Sequence, residues 1–126
     1  QIDLMASLGT LVGGENFGQD SENLLDVFLG KTDRGRDEFV LEATSRTAFR
    51  EGSWVMIPPY SGPAVQNQVN IELGNSPEYR LYNLAEDLSQ ERNLAESNPE
   101  KLQEMIKRFE QIRGIESANV EELELK

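Results

Sequence analysis

The chain has 126 residues, no cysteine and no histidine, and 23 acidic against 12 basic residues, for a net charge of −11. Without cysteine or histidine it can form no disulfide, no cysteine-ligated zinc site and neither a Ser-His-Asp nor a Cys-His catalytic arrangement. The charge makes nucleic acid and anionic membranes unsuitable partners, and no apolar run approaches the roughly 20 residues that span a bilayer.

The length suits one domain, expected over residues 1–126. Only 37% of the residues are hydrophobic, so we expect a modest core or a surface that needs a neighbour. The chain opens on Gln1 without an initiator Met or a signal peptide, which leads us to expect a piece of a longer protein.

The N-terminal part predicts two short helices and a charged linker. Residues 3–12 have apolar side chains at helical spacing, with Asp3 as a possible cap. A second helix is predicted to be capped by Ser21 and to end at Gly30. Residues 31–37 mix basic and acidic side chains and predict a solvated surface loop. The apolar face of the first helix is expected to be buried or docked, and comprises Leu4, Leu8, Leu11 and Val12.

The middle of the chain predicts an antiparallel sheet. Residues 39–44, 47–51 and Trp54–Ile57 predict three strands, and residues 78–84 predict the last one. Gly52 permits the positive φ of a tight hairpin between the second strand and the third.

Residues 60–76 form a long polar connection before the last strand. A connection of this length is usually functional or mobile. It could line a substrate rim, contact another domain or be a variable excursion without a role. Val69 and Ile71 alternate with polar residues, which predicts a short edge strand inside it.

A C-terminal helix is the clearest element. It is predicted to begin at Pro99 with Asn98 or Ser97 as its cap, and an i, i+4 pair is predicted between Glu104 and Arg108. Its apolar stripe comprises Leu102, Met105, Ile106, Phe109 and Ile112.

The expected fold is α+β. The stripe of the C-terminal helix is expected to cover the sheet face that carries Trp54 and Tyr82, after one or two short N-terminal helices. Residues 115–126 could form a terminal turn, an edge strand or a frayed tail, and we favour partial disorder.

Residues 81–95 join the last strand to the C-terminal helix and carry a specific pattern. They read Leu-Tyr-Asn-Leu-Ala-Glu-Asp-Leu-Ser-Gln-Glu-Arg-Asn-Leu-Ala. This resembles Leu-Tyr-Asp-Leu-x-x-Asp-Pro-x-Glu-x-x-Asn-Leu-Ala, the C-terminal signature of the arylsulfatase-like sulfatase family. Asn83, Leu88 and Gln90 depart from it. The matching positions are Leu81, Tyr82, Leu84, Asp87, Asn93, Leu94 and Ala95.

A second segment is similar to the same family. Residues 48–57 resemble the sulfatase hairpin Ala-Ile-Arg-x-Gly-x-Trp-Lys-Tyr-Ile, with Arg50, Gly52 and Trp54 in register and Val55 where the family has Lys. The resemblance covers residues 1 to about 113. It identifies the chain as resembling the C-terminal subdomain of a sulfatase.

The resemblance implies a parent enzyme that hydrolyses sulfate esters, using a formylglycine made within Cys/Ser-x-Pro-x-Arg and a calcium ion held by Asp and Asn. The chain lacks that motif and any clustered acidic loop, so we predict no catalytic, cofactor-binding or metal-binding residue in it. Ser97-Asn98-Pro99-Glu100-Lys101 comes near, with Lys for Arg, and is interpreted as a helix start.

The resemblance leaves this piece a supporting role. It would complete the fold of the parent, and its turn Thr44-Ser45-Arg46 and residues 60–76 would shape the substrate rim. Its partners would be the catalytic domain of the same polypeptide and the sulfate-ester substrate. The family prior is a periplasmic, secreted or lysosomal parent. The piece alone is predicted to be inactive.

An alternative of another class is a free-standing acidic interaction domain without catalysis. The state of the first helix discriminates between the two hypotheses. A subdomain should expose an apolar patch along Leu4, Leu8 and Leu11, whereas a free-standing domain should bury them.

Overall fold

The computed structural model describes residues 2–14, 18, 20–43 and 46–114. The tail predicted to be partly disordered, residues 115–126, lies outside the described residues. Internal contacts divide the chain into two compact units, Gln1–Asp37 and Glu38–Lys126, and a single domain over residues 1–126 stays a prediction. In the described parts, the elements are α1 (Leu4–Leu11), α2 (Leu25–Phe28), β1 (Glu38–Ala43), β2 (Arg46–Glu51), β3 (Trp54–Ile57), β4 (Val65–Gln66), β5 (Ile71–Glu72), β6 (Arg80–Asn83) and α3 (Pro99–Arg113).

In the first unit, a side chain that is distant in sequence caps the start of α1. Asp3 occupies the N-cap position, as predicted, but its carboxylate makes no capping hydrogen bond. The Oγ of Ser21 instead accepts a hydrogen bond from the Ala6 amide in the first turn, at 3.0 Å. The prediction that Ser21 caps the second helix is therefore wrong, since α2 begins only after Leu24.

The carboxylate of Asp3 forms a partly buried ion pair instead. Nη2 of Arg36 lies 2.7 Å from Oδ1 of Asp3, and the two side chains are 16% and 13% exposed. The Glu22 amide donates to the same carboxylate at 2.9 Å. Burial raises the pKa of Asp3, but the hydrogen bonds from Arg36 and Glu22 outweigh it, so the pKa lies below its ordinary value.

The linker over residues 31–37 is thus only partly the solvated loop that its charges predict. Lys31 pairs with Asp26 and Arg34 pairs with Asp37, both on the exposed surface. The side chain of Arg36, in contrast, is largely buried where it pairs with Asp3.

The second unit contains an antiparallel sheet that, in the described residues, has four strands in the order β1-β2-β3-β6. Glu51 and Trp54 are partners at the turn between β2 and β3, which leaves a two-residue loop. Gly52, the first of these two residues, has φ +56°, as the sequence predicts for a tight hairpin.

One face of the sheet and α3 enclose the core of this unit. Phe49, Met56, Leu81 and Met105 form a cluster with no exposed surface. The stripe of α3 packs as predicted, except that Ile112 at its end is 42% exposed. Half-buried side chains surround the cluster and include Val40, Trp54, Leu94, Leu102, Ile106 and Phe109. The predicted α+β class, with α3 on the sheet, is confirmed.

The opposite face of the sheet carries Tyr82, which corrects one prediction. Tyr82 pairs with Val55, and both are buried. Because side chains alternate along a strand and Leu81 points into the α3 core, Tyr82 must point away from α3. Trp54 packs against the core as predicted.

The ion pairs of α3 also differ from the prediction. Arg108 binds Glu38 on β1 instead of Glu104, so α3 is tied to the edge of the sheet. Lys101 lies 2.6 Å from Glu51 and 3.3 Å from Glu104. Burial lowers the pKa of Lys101, but its hydrogen bonds to the two carboxylates outweigh this and raise it overall.

Residues 83–95 cover the outer edge of β6. Oδ1 of Asn93 accepts a hydrogen bond from the Leu81 amide at 2.9 Å, and Nδ2 donates to the Tyr79 carbonyl at 3.2 Å. The Leu94 amide donates to the Leu81 carbonyl at 2.7 Å. The Asn-Leu-Ala of the signature thus supplies the partners that an edge strand otherwise lacks.

The polar residues of the signature order the turn itself. Oδ2 of Asp87 accepts from the Arg92 amide at 2.9 Å, and Oδ1 of Asn83 accepts from the Ala85 amide at 3.2 Å. Asn83 stands where the family has Asp, and its side-chain oxygen makes the local hydrogen bond that either residue type can make.

Candidate functional site

The predicted rim turn, Thr44-Ser45-Arg46, lies between β1 and β2. Thr44 and Ser45 fall outside the described residues. Arg46 is described, begins β2 and is partly exposed. Its contacts lead directly to residues 60–76, the other predicted part of the rim.

The guanidinium of Arg46 is engaged by that segment. Its Nε donates to Oδ1 of Asn75 at 2.9 Å, and its Nη2 donates to the Ser61 carbonyl at 3.3 Å. Its Cζ lies 5.1 Å from the centre of the Tyr60 ring, within cation–π range. Arg46 therefore fixes both ends of the segment, and its contact with a substrate stays a prediction.

Asn75 is the buried centre of this arrangement. It is 6% exposed, and its Nδ2 donates to the Pro63 carbonyl at 2.8 Å. A Cβ added to Gly62 would lie 3.0 Å from Nδ2 of Asn75, and Gly62 has φ +122°, so a side chain there would be crowded and would strain the backbone.

Tyr60 ties the same segment to β2. Its Oη accepts a hydrogen bond from the Thr47 amide at 2.7 Å, and its own amide donates to the Ser76 carbonyl at 2.8 Å. We call Arg46, Tyr60, Gly62 and Asn75 the loop anchor. Sequence reasoning missed Tyr60 and Asn75 because each has an ordinary turn or loop neighbourhood, and only the fold brings them together.

The anchor holds a small hairpin in place. β4 and β5 pair antiparallel and form their own two-stranded sheet, so the predicted edge strand does not join the main sheet. The Leu73 amide donates to the Ala64 carbonyl at 2.8 Å and extends this pairing. The two strands of the hairpin lie between Gly62 and Asn75 of the anchor in the sequence.

The first unit, taken by itself, presents an apolar surface on α1. The residues that α1 buries are small: Ala6, Ser7 and Gly9. Its large apolar residues are exposed, which is the outcome expected for a subdomain. We call the α1 surface the residues Leu4 (41%), Leu8 (53%) and Leu11 (58%), with Ile2, Met5 and Val12 exposed beside them.

A cleft of about 420 Å³ in the first unit is lined by apolar, polar and two charged residues. Asp26 and Arg34 are the charged residues of its lining. Each is already paired on the surface, Asp26 with Lys31 and Arg34 with Asp37. The cleft therefore offers no unpaired charge for catalysis or ligand binding.

Neither the metal site nor the formylglycine motif that the resemblance implies for the parent is found in the described residues. No group of three or more His, Cys, Asp or Glu side chains in them is placed to hold a metal ion. The sequence has no Cys/Ser-x-Pro-x-Arg motif from which a formylglycine could form. No described helix is long and apolar enough to cross a membrane.

Fold and surface together define a class: a small α+β piece with an exposed apolar helix and an anchored loop. No family model matches the chain. It is 33% identical, over 90% of its length, to an N-acetylgalactosamine-6-O-sulfatase of Bacteroides thetaiotaomicron. It also superposes with a TM-score of 0.79 and 32% identity, over 87% of its length, on a solved sulfatase from a study of glycosaminoglycan metabolism in that bacterium.

The chain spans 23% of the length of the first relative and 24% of the solved chain. It is therefore similar to one piece of a sulfatase. The resemblance predicted from residues 48–57 and 81–95, to a sulfatase C-terminal subdomain, is confirmed by both comparisons. The alternative of a free-standing interaction domain is not favoured.

Proposed function

We propose that the chain is the C-terminal subdomain of a longer sulfatase and that the whole polypeptide hydrolyses sulfate esters. The observation that carries this proposal is the likeness to a sulfatase over 90% of this chain but only 23% of the relative. The exposed α1 surface supports this proposal, because a contiguous exposed apolar surface typically marks a site of contact with another protein surface.

The catalytic domain of the same polypeptide would be that partner. Fully burying a large apolar side chain contributes about 1.5–3 kcal/mol, so covering Leu4, Leu8 and Leu11, which are 41–58% exposed, would contribute about half of that each. The chain would then complete the fold of the enzyme without supplying a reacting group.

The reaction itself would use groups outside this chain. The family resemblance implies a formylglycine, whose hydrated form attacks the sulfate ester, and a calcium ion beside it. The described residues fit neither group. The contribution of the chain would be to position the edge of the pocket through the turn Thr44, Ser45 and Arg46, with Arg46 acting through its hydrogen bonds to residues 60–76.

The substrate would be a sulfated sugar. The relative is named for the 6-O-sulfate of N-acetylgalactosamine, and the solved structure comes from work on glycosaminoglycans. A polymer of that kind would place the enzyme outside the cytoplasm, in the periplasm, in a lysosome or in the medium.

The test is sulfate release. The intact polypeptide should release sulfate from N-acetylgalactosamine 6-sulfate, whereas the 126-residue chain alone should release none above a buffer blank. An intact polypeptide inactive on sulfated sugars and on aryl sulfates, despite correct folding, would overturn the proposal. Activity of the chain alone would overturn its supporting role.

A further inference from the structure

The hairpin formed by β4 and β5 exposes apolar side chains. Val69 and Ile71 are each 56% exposed, and Leu73 is 38% exposed. Ile71 and Leu73 alternate with Glu72, so they share one face of the extended chain. We call Val69, Ile71 and Leu73 the hairpin surface.

The sequence that leads into the hairpin surface is free of charge up to Glu72, which lies between Ile71 and Leu73. Residues 53–71 contain no Asp, Glu, Lys or Arg, although 28% of the chain is charged. The centres of protein interfaces are depleted of charged residues in the same way, because burying a charge is costly. Val69 and Ile71 lie within this charge-free run, which suits a surface that is covered by a partner.

The loop anchor presents the hairpin in a fixed position. An isolated two-stranded hairpin is marginally stable in water. Here Asn75 and Arg46 close its base through hydrogen bonds of 2.8 and 2.9 Å. A surface that is already ordered loses little conformational entropy on binding, which favours docking.

We infer that the hairpin surface is a second docking surface, and that its occupant is the part of the sulfatase polypeptide outside this chain. The inference rests on the proposed function. The relative is about four times longer than the matched region, so a large protein partner is implied. The exposed groups are aliphatic, which suits a protein surface better than a sugar or a sulfate.

Single-cysteine labelling of the intact polypeptide tests the inference. The chain has no cysteine, so each introduced thiol is a unique probe within it. The probes are Ile71→Cys on the hairpin surface, Leu8→Cys on the α1 surface and Lys107→Cys on the exposed side of α3. Maleimide labelling is followed by peptide mass, and each rate is divided by its rate in denaturant.

Ile71→Cys should label about tenfold more slowly than Lys107→Cys, the ratio given by a docked state favoured by about 1.4 kcal/mol. Fast labelling at Ile71→Cys with protection at Leu8→Cys would overturn the hairpin inference alone. Fast labelling at both, in a polypeptide that releases no sulfate, would overturn the proposed function as well.

Two further results would also overturn the inference. Protection of Ile71→Cys that disappears on dilution would identify a second copy of the chain as the occupant. Protection that appears only after N-acetylgalactosamine 6-sulfate is added would identify the substrate.

Discussion

Asp3 and Arg36 form an ion pair whose contribution to stability depends on pH. Burial raises the pKa of Asp3, but the hydrogen bonds from Arg36 and from the Glu22 amide outweigh it and hold the folded pKa below its ordinary value of 3.8. A carboxylate with a lowered folded pKa stabilises the protein above its unfolded pKa, and this stabilisation is lost as the pH falls through the folded pKa.

Asp3→Asn should therefore destabilise the protein at pH 7 by about 1–3 kcal/mol, because Arg36 keeps a partly buried charge without its partner. Urea unfolding of both proteins at pH 7 and below pH 3.8 measures the difference, which should shrink in acid. Asp37→Asn is the matched control, since Asp37 pairs with Arg34 on the exposed surface. A difference that stayed constant with pH would contradict the assignment.

Within the segment that resembles the sulfatase signature, Asn93 makes side-chain hydrogen bonds to Leu81 of the edge strand β6 and to Tyr79 just before it. Asn93→Ala should cost about 1–3 kcal/mol, because it leaves the amide of the buried Leu81 without a partner. Asn93→Asp keeps the acceptor and loses the donor to Tyr79, so it should cost less. Chemical denaturation of the two variants measures this order, and equal losses would contradict it.

At the scale of elements, α3 stabilises the second unit by covering the sheet. Met105→Ala should cost about 2–5 kcal/mol, because it opens a cavity between α3 and the sheet residues Phe49, Met56 and Leu81. Ile112→Ala on the same helix should cost much less, since Ile112 is 42% exposed. Similar losses in thermal or urea unfolding would show that the stripe is not the packing face.

The loop anchor makes a separate prediction at the same scale. Asn75→Ala removes the hydrogen bonds to Arg46 and Pro63, so the hairpin should open more often. Hydrogen exchange of the Leu73 amide should become faster, while the amides of β2 and β3 keep their protection. Asn67→Ala in the exposed turn is the control. Unchanged exchange at Leu73 would mean that the hairpin is held by other contacts.

Local sequence patterns predict the helices and strands because each of these elements depends on residues that are close together in the sequence. The turn at Gly52 and the stripe of α3 follow from φ requirements and from a 3.6-residue period, and both are confirmed. Two predictions failed for different reasons. Arg108 had several possible partners, and it binds Glu38 on β1 instead of Glu104 on its own helix. Tyr82 follows Leu81 along β6, so its side chain lies on the opposite face of the sheet from the α3 core.

The candidate site was less predictable than the fold. Arg46 is predicted from the sequence as a rim residue, and that role stays a prediction. The partners that fix its guanidinium, Asn75 and Tyr60, lie far along the chain. Contacts of that kind depend on the register of β2 and on the path of residues 60–76. The φ of Gly62 and its close approach to Asn75 are features of the fold, so they could not be derived from the sequence.

At the scale of the whole molecule, the chain combines a complete core in its second unit with apolar surfaces in both units. The core lies between α3 and the sheet. The α1 surface and the hairpin surface remain exposed in the described residues. Sequence and fold are similar to those of one piece of a sulfatase, and we propose that both surfaces meet the rest of such an enzyme.

The native mass of the protein in its source cells, detected with an antibody against this chain, tests the central claim most directly. We predict a single polypeptide several times heavier than 14.2 kDa under denaturing as well as native conditions. A polypeptide of 14.2 kDa would contradict it, and the likeness to sulfatases would then describe only the ancestry of the chain.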